Sequence, residues 1–356
     1  MRAVLIVNPN STNQTPALFS RVIPRLRKVP GLQLVALFTH YSGHARDICA
    51  MLADGYDFES NGTRQPVDVV IAVGGDGTVN EVINGLLGDS GKPVEQLGKR
   101  PRLAVIPTGS ANVFARALGF PAEPIHATEV LAETIAAEEY RTIDLGTWDD
   151  KWFAVNAGFG IDAEVIAGVE RARRRGFAAT PLRYLRVALH AWRLTRKYPP
   201  RIDVTARDRN GNDFRRTALP LCVASNTNPW TFLGPLPVVT NPRNSFDLGL
   251  SLFALSSLDG IGGALSMMHL VGLGKRPWVQ HLVDRRTLTF DDAMQVELDC
   301  HEPRRFQVDG EYVGTLSSVT LGAVPKAIEV YAPERTIKPT PISTLRWIVG
   351  FFDIRI

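Results

Sequence analysis

The chain has 356 residues, 45% of them hydrophobic, and a formal net charge of +4 at pH 7. A chain of this length exceeds the size at which one hydrophobic core keeps growing, so we expect two domains with a core each. The mild positive charge permits anionic partners. Because the sequence has no zinc-finger spacing and no aromatic and basic RNA signature, nucleic acid is not an expected partner.

The cysteines and the apolar runs indicate in which part of the cell the protein is expected to work. Cys49, Cys222 and Cys300 are odd in number and far apart, which argues against a disulfide framework or a zinc site and favours a reducing cytoplasm. The N-terminus resembles a strand more than a signal sequence. No run reaches the roughly 18 to 20 apolar residues that a membrane-spanning helix needs, so any membrane contact is expected to be peripheral.

The first 143 residues alternate between strand-like and helix-like patterns. Such alternation predicts a three-layer α/β domain with a mainly parallel sheet. The predicted strands are 3–7, 32–39 and 67–73, and the predicted helices lie near 16–28 and 43–53.

The strand 67–73 is a nearly continuous β-branched run, which is typical of a strand buried on both faces. It ends abruptly in the glycine loop Gly74-Gly75-Asp76-Gly77-Thr78. Apolar residues at helical spacing follow and predict a helix that ends at Gly88. Thr78 and Glu81 have the spacing of a capping box at the start of that helix.

A second loop follows a predicted strand at 103–106 and has the sequence Pro107-Thr108-Gly109-Ser110. Glycine-rich turns that lead into helices let backbone N–H groups approach phosphates closely, and an aspartate among the glycines, Asp76, could hold Mg²⁺. An isolated Asp-Gly pair more often marks a simple tight turn, but the buried strand and the helix beside it favour the binding interpretation. The glycine loop matches neither the Walker pattern nor the dinucleotide fingerprint.

From about residue 142 the pattern changes to short alternating stretches. It predicts a mainly antiparallel β-sandwich domain over 144–325, with a helical insertion at 163–197. A C-terminal segment, 326–356, could pack back on the first domain. The predicted strands of the second domain are 151–156, 201–207, 219–225, 248–253, 287–290 and 295–300.

Several motifs together resemble the diacylglycerol kinase catalytic-domain family, which includes sphingosine and ceramide kinases. They are Asn8 to Ser11, Gly74 to Thr78, Ile106 to Asn112, Asn156 to Gly160, Ser245 to Leu250 and Phe306 to Glu311. The resemblance covers nearly the whole chain. It implies a fold like that of NAD kinases and diacylglycerol kinases, and an ATP-dependent lipid kinase whose first candidate acceptor is diacylglycerol.

The resemblance also implies site residues. Asp309 and Glu311 match the motif that supplies the catalytic carboxylate of the family, and Asp76 would lie near the phosphates and the metal. The reaction needs such a carboxylate, because a hydroxyl attacks the γ-phosphoryl more readily when its proton is accepted. Which of Asp309 and Glu311 is the base stays open, and Asp309-Gly310 also has the sequence of a hairpin turn. The ATP site would be lined by Asn8, Thr39, Gly74, Gly75, Asp76, Gly77, Thr78, Val79, Asn80, Gly109 and Ser110.

A structural Mg²⁺ site is implied at Asn244, Asp247 and Gly249, although these residues equally suit an ordinary surface turn. Three positions depart from the family pattern: Val113, where many members carry Asp, Ser110, where Thr is frequent, and Thr12, which replaces a Gly after Ser11. Ser110 keeps the hydroxyl.

In the segment 170–197, arginines alternate with apolar residues, a pattern that suits binding to an anionic membrane surface. The alternative is that the arginines form a solvated basic face on ordinary surface helices. The tail 345–356 has a similar mixture. We therefore expect a membrane lipid substrate, no nucleic acid partner, and a cytoplasmic location, peripheral at the inner membrane face. The oligomeric state stays open, with a homodimer as one option.

Three alternatives remain. Within the same chemistry, the acceptor is a sphingoid base, ceramide or another lipid. An NAD kinase shares the Gly-Gly-Asp-Gly-Thr loop, but the Asp309-Gly310-Glu311 motif and the loop 107–112 favour a lipid. A non-catalytic lipid or nucleotide sensor would be expected to lack a carboxylate, whereas Asp76, Asp309 and Glu311 are all present.

Overall fold

The computed structural model describes residues 1–11, 15–55, 66–159, 195–233, 236–259, 263 and 283–334. They form two compact units. Unit 1 comprises residues up to Ala154 and the described residues from Pro325 onward, and unit 2 comprises the described residues from Val155 to Val324. Nearly all of the predicted helical insertion at 163–197 and the tail 345–356 lie outside the described residues.

As far as β4, unit 1 alternates strands and helices in the order that its sequence predicts. Its strands are β1 (Arg2–Val7), β2 (Gln33–Phe38), β3 (Val69–Gly74), β4 (Arg102–Pro107), β5 (Tyr140–Trp148) and β6 (Lys151–Phe153). Its helices are α1 (Pro16–Leu26), α2 (His44–Ala53), α3 (Asp76–Leu87), α4 (Val113–Ala117) and α5 (Pro124–Ala136), with a 3-10 turn at Val94–Gln96. The predicted domain boundary after residue 143 falls within β5.

The central strands of unit 1 form a parallel sheet in the order β2-β1-β3-β4, which confirms the predicted α/β class. All six residues of β3 are buried, as the β-branched run predicts. Helix α1 packs with α5, and α2 packs with α3. Because parallel strands present their carboxyl ends at one edge of a sheet, the loops that follow these four strands share that edge.

Helix α5 was not predicted, although its signals are present in the sequence. Pro124 occupies its first turn, where the missing N–H costs nothing, and the Glu123 carboxylate accepts a hydrogen bond from the His126 N–H at 2.6 Å. Buried residues Ala127, Val130 and Leu131 follow at helical spacing.

The predicted capping box at the start of α3 is wrong. Helix α3 begins at Asp76, so Thr78 lies inside its first turn, and the N-cap residue is Gly75. The Glu81 carboxylate instead accepts hydrogen bonds from the N–H groups of Gly43 at 2.8 Å and Ala45 at 3.2 Å, at the start of α2. Glu81 therefore accepts hydrogen bonds from N–H groups that have no partner within α2. The spacing of residues around Glu81 in the sequence could not indicate this role.

In unit 2, antiparallel strands account for most of the described residues, as predicted. They are β7 (Asn156–Phe159), β8 (Ile202–Asp208), β9 (Asp213–Leu219), β10 (Leu221–Ser225), β11 (Thr231–Leu233), β12 (Leu236–Val238), β13 (Leu250–Leu255) and β14 (Thr287–Val308), followed by the first part of β15 (Glu311–Tyr331). The order is β13-β10-β7-β14-β15, with β8 pairing β14 and β9. A separate hairpin joins β11 to β12.

Strand β14 has 22 residues and replaces two shorter predicted strands, 287–290 and 295–300. Its pairing with β13 shifts register between Phe290 and Ala293, and its pairing with β8 shifts register between Ala293 and Gln295, where the two predicted strands are separated. Such irregularities break the alternation of apolar and polar residues without ending the strand. The alternation of apolar and polar residues therefore predicted two short strands and did not indicate that they belong to one long strand.

The last part of β15 belongs to unit 1. Val330 pairs with Leu103 of β4 in parallel, and the Lys326 N–H donates to the Asp144 carboxylate at 2.9 Å. Unit 1 is therefore assembled from two segments that are distant in sequence. Within the described ranges, no helix is both long enough and apolar enough to cross a bilayer. All three cysteines are buried and unpaired.

Gly85 tests the close packing of α2 against α3. A Cβ atom at Gly85 would overlap the Arg46 carbonyl oxygen and lie 2.6 Å from the Cys49 Cβ. Without that overlap, Gly85→Ala in a helix would stabilise the fold by about 1 kcal/mol. We expect the overlap to reverse the sign and to lower the free energy of unfolding by about 1 to 3 kcal/mol, measured by urea denaturation. A raised midpoint would contradict this packing.

Candidate active site

The carboxyl edge of the unit 1 sheet collects the residues predicted to line the ATP site. Thr39 follows β2, Asn8 follows β1, Gly74 ends β3, and Gly109 and Ser110 follow β4. Thr39 continues the sheet, because its N–H donates to the Val7 carbonyl oxygen at 2.9 Å. The structure thus brings together residues that are up to about a hundred positions apart in sequence.

The two predicted loops meet backbone to backbone. A Cβ atom added to Gly75 would lie 3.2 Å from the Gly109 Cα, and one added to Gly109 would lie 2.6 Å from the Gly75 Cα. The Thr108 N–H also donates to the Gly74 carbonyl oxygen at 2.9 Å. Gly109 is therefore required by space and Gly75 packs tightly against it, so the two loops touch at the start of α3.

Asp76 joins the glycine loop to α4. Its Oδ2 accepts a hydrogen bond from the Val113 N–H at 3.0 Å, and its Oδ1 accepts one from the Phe114 N–H at 2.9 Å. These N–H groups belong to the first turn of α4, which has no partners for them within the helix. The aspartate that was predicted near the phosphates thus also caps a helix, a role that its sequence context did not indicate.

Electrostatics around Asp76 reflect this burial. Asp76 keeps part of its surface exposed, but protein atoms surround the carboxyl group, and burial raises its pKa above the ordinary value. The two N–H groups and the positive charge of Arg116 act in the opposite direction. Burial also lowers the pKa of the Arg116 guanidinium to about 10, against the attraction of Asp76. Asp76 and Arg116 therefore stabilise each other's charged forms.

Asn112 is a site residue that the predictions missed. It has a left-handed backbone with φ of 51° and precedes α4. Its Oδ1 accepts from the Gly109 N–H at 2.8 Å, and its Nδ2 donates to the Gly109 carbonyl oxygen at 3.0 Å. Asparagine tolerates this backbone conformation better than most residues, which is a signal that the sequence offers just before the helix.

Asn8 extends the edge towards β1. Its Nδ2 donates to the Thr78 Oγ1 at 3.2 Å, and its Oδ1 accepts from the Asn10 N–H at 3.0 Å. Nearby, the Thr108 Oγ1 donates to the Ser11 Oγ at 2.9 Å. Side chains after β1 are therefore tied both to the glycine loop and to the loop after β4.

The remaining predicted residues of this group lie on or beside α3. Gly77 is partly exposed, and Val79 is buried in the packing of the helix. The Asn80 Nδ2 donates to the Trp152 carbonyl oxygen at 3.0 Å, so this side chain fixes α3 to β6. A Cβ atom at Gly74 would overlap the Thr78 side chain, which explains the first glycine of the loop.

In unit 2, Asp309 and Gly310 form the predicted hairpin turn. Both have positive φ, 49° and 80°, and Val308 pairs directly with Glu311 across them. This is the backbone that a two-residue hairpin loop between twisted strands requires. The prediction of a turn at Asp309-Gly310 is confirmed.

Asp309 is nevertheless buried, with 4% of its surface exposed. Its Oδ1 accepts hydrogen bonds from the N–H groups of Val155 at 2.7 Å and Asn156 at 3.1 Å. Its own N–H donates to the Asn156 carbonyl oxygen at 2.8 Å. A buried carboxylate needs such donors, because unpaired charge is costly inside a protein. The carboxylate of Asp309 is therefore held in a fixed orientation.

A buried amide pair supports this turn and was also missed. The Gln307 Nε2 donates to the Asn156 Oδ1 at 2.7 Å, and the Gln307 Oε1 accepts from the Gly310 N–H at 3.0 Å. The Asn156 Nδ2 donates to the Trp230 carbonyl oxygen at 3.0 Å. Glu311, by contrast, is exposed at the first position of β15. The two predicted catalytic carboxylates thus occupy different environments.

Asp76 can contribute to a Mg²⁺ site. Magnesium in phosphate-binding proteins commonly uses one or two carboxylates together with substrate phosphates. Each oxygen of Asp76 accepts one backbone hydrogen bond, whereas a carboxylate can accept about four, so capacity for a metal is retained. In the described part of the chain, no group of three or more His, Cys, Asp or Glu side chains could hold a metal by itself.

The residues of the second predicted metal site lie in unit 2, before β13. The Asn244 Nδ2 donates to the carbonyl oxygens of Ser225 and Thr227, both at 3.0 Å, and its buried Oδ1 has no hydrogen-bond partner among the described residues. Asp247 is exposed, and the Gly249 N–H donates to the Asp292 carboxylate at 2.7 Å. The oxygen types suit a hard cation such as Mg²⁺.

Comparisons with known proteins agree with this architecture. Residues 2–148 match the family model of the diacylglycerol kinase catalytic domain. A diacylglycerol kinase from Staphylococcus carnosus is 26% identical over 94% of this chain and 95% of that protein. One from Bacillus subtilis is 45% identical over 26% of this chain and 27% of that protein. A solved diacylglycerol kinase structure from Bacillus anthracis shares the fold, with a TM-score of 0.62 and 18% identity over 94% of this chain and 98% of that one.

Gly109 tests the contact between the two loops. Gly109→Ala would place a Cβ atom 2.6 Å from the Gly75 Cα and 2.8 Å from the Asn112 Oδ1. Because backbone cannot move aside as a side chain can, we expect a loss of about 1 to 3 kcal/mol in the free energy of unfolding. Ser110→Ala, at an exposed neighbouring position, is the control and should change it by less than about 0.5 kcal/mol. Equal stability of the two variants would argue against the contact.

Proposed function

Because residues 2–148 belong to the diacylglycerol kinase catalytic-domain family and the chain is accordingly a lipid kinase, we propose that it transfers the γ-phosphate of ATP to the hydroxyl of diacylglycerol. The product is phosphatidic acid. The acceptor rests on the names of the relatives, since the described residues carry no feature specific to one lipid class.

The observation that carries ATP binding is the contact between the glycine loop and the loop after β4. A Cβ atom at Gly109 would lie 2.6 Å from the Gly75 Cα, so no side chain comes between the two loops where α3 begins. A helix N-terminus with unhindered N–H groups attracts phosphate through hydrogen bonds and through the helix dipole. The Asn8 and Thr78 side chains add polar groups at the same edge.

Asp309 is the group we assign as the proton acceptor. Its carboxylate is buried and its Oδ1 is fixed by two backbone N–H groups, so its orientation costs little to maintain during the reaction. It accepts the proton of the lipid hydroxyl as the hydroxyl oxygen bonds to the γ-phosphorus and the bond to the β-phosphate oxygen breaks. ADP leaves with that bridging oxygen. Glu311 is the alternative acceptor.

Asp76 has a different assignment, as the carboxylate that holds Mg²⁺ beside the phosphates. Bound Mg²⁺ would neutralise negative charge on the phosphates of ATP. Asp76 would act together with the N–H groups of the glycine loop, while its own hydrogen bonds to α4 keep it in place. Asn244, Asp247 and Gly249 are assigned to a separate structural Mg²⁺ site.

We further propose that the enzyme works in the cytoplasm at an anionic membrane surface. Its substrate is a membrane lipid, so the lipid hydroxyl must be reached at the bilayer surface. The proposal rests on the sequence of the segment 170–197, which is rich in basic and apolar residues. Most of this segment lies outside the described residues.

The first test is phosphate transfer from radiolabelled ATP with Mg²⁺ to mixed micelles. Separate reactions contain diacylglycerol, sphingosine, ceramide or no lipid, and NAD is a soluble acceptor in parallel. We expect labelled phosphatidic acid from diacylglycerol. Label on another lipid would correct the acceptor, label on NAD alone would replace the lipid class, and transfer to no acceptor would favour a sensor.

The second test separates the two carboxylates. Asp309→Asn keeps an oxygen that can accept the Val155 and Asn156 N–H groups but removes the base, so we expect kcat to fall by about 10² to 10⁴ with the fold preserved. Glu311→Gln, at the exposed neighbouring position, is the matched control and should retain most activity. The reverse result would assign the base to Glu311. Thermal unfolding of both variants checks the fold.

A further inference from the structure

An aromatic platform lies at the carboxyl edge of unit 1, immediately after β2. It consists of His40, Tyr41 and His44. The Tyr41 and His44 rings stack with centroids 4.4 Å apart and an interplanar angle of 19°, and the His40 ring lies 5.4 Å from that of His44. Tyr41 is nevertheless 58% exposed. His44 therefore covers one face of the Tyr41 ring, while much of the Tyr41 side chain is open to solvent.

Several hydrogen bonds hold the platform to the start of α2. The Tyr41 hydroxyl donates to the Asp47 Oδ2 at 3.2 Å, and the His40 N–H donates to the His44 Nδ1 at 3.1 Å. Gly43, between them, has a left-handed backbone with φ of 90°, and its N–H donates to the Glu81 carboxylate. The Tyr41 ring is therefore fixed at its hydroxyl end and along one face.

The platform and the glycine loop share one edge of the sheet. The loop follows β3, and the platform follows β2, with β1 between them. Two strand spacings of roughly 4.8 Å place the ends of β2 and β3 about 10 Å apart. An extended nucleotide can span this distance between its phosphates and its base.

The other direction along the edge is closed. On the β4 side, Gly109 packs against Gly75, and the Asn112 side chain fills the space beside Gly109. A nucleotide whose phosphates occupy the glycine loop has room to extend along the edge in the opposite direction, past Asn8 and towards Thr39. Tyr41 lies two residues after Thr39, on that side of the glycine loop.

We propose that Tyr41, backed by His44, stacks on the purine ring of the nucleotide co-substrate. This inference rests on the proposed function, because it assumes that the glycine loop binds the phosphates of ATP. Stacking on an aromatic face accepts any base and favours the larger area of a purine. Tyr41 thus contributes to affinity for the nucleotide and takes no part in the transfer of phosphate.

The test measures equilibrium binding to the full chain by isothermal titration calorimetry, with Mg²⁺ and without lipid. The ligands are ATP and inorganic tripolyphosphate, which has phosphates but no base. We expect Tyr41→Ala to weaken ATP binding by roughly ten-fold and to leave tripolyphosphate binding unchanged. Tyr41→Phe keeps the ring and should stay within about two-fold of the wild type for both ligands.

Tyr140→Ala is the matched control, because Tyr140 is 41% exposed in unit 1 but packs on Arg102 at the start of β4, at the amino edge of the sheet. It should affect neither ligand. The wild-type protein gives a further readout that needs no variant, since it should bind ATP more tightly than CTP.

The possible outcomes distinguish a failure of the role assigned to Tyr41 from a failure of the proposed kinase function. Equal ATP affinity of the wild type and Tyr41→Ala, or equal affinity of the wild type for ATP and CTP, would overturn the platform and leave the kinase standing. Loss of both ligands in Tyr41→Ala would overturn it as well, since Tyr41 would then support the phosphate loop. A wild-type protein that binds neither ligand would overturn the proposed function itself.

Discussion

The contact between the backbones of Gly75 and Gly109 is the constraint on which the unit 1 site depends. It brings together two loops that follow neighbouring parallel strands, at a distance that leaves no room for a Cβ atom at Gly109. The other features of the edge support this approach: Asn112 holds Gly109 from one side, and Asp76 reaches from α3 to the start of α4. A site made from backbone groups in this way depends on the packing of two helices as much as on the identity of its side chains.

In unit 2, the turn at Asp309 is likewise held in place by close contacts within the fold. A two-residue hairpin loop would ordinarily lie at the surface, yet Asp309, Gln307 and Asn156 are all buried and bonded to one another or to backbone groups. Partly satisfied polar groups inside a protein are costly, whereas a connected set is rigid. The carboxylate that we assign as the base is therefore positioned by the fold before any substrate binds.

The parallel sheet, the two loops and the antiparallel second unit could be predicted because each leaves a local pattern. A strand buried on both faces leaves the β-branched run of β3, and the loops leave glycines at strand ends. The partners of Asp76 and Glu81 left no such pattern, because both carboxylates cap helices that are distant in sequence. Strand β14 was predicted as two fragments because register shifts between Phe290 and Gln295 interrupt the alternation.

Strand β15 has a consequence for the order in which the chain can fold during synthesis. Its last residues pair with β4, and the Lys326 N–H donates to Asp144, although these two residues are 182 positions apart and unit 2 lies between them in the chain. Until a ribosome has made residue 330, the edge of β4 has no partner on that side. An unpaired strand edge is a template for association with other chains. The nascent protein thus carries an open sheet edge through most of its translation, and closing it is among the last steps.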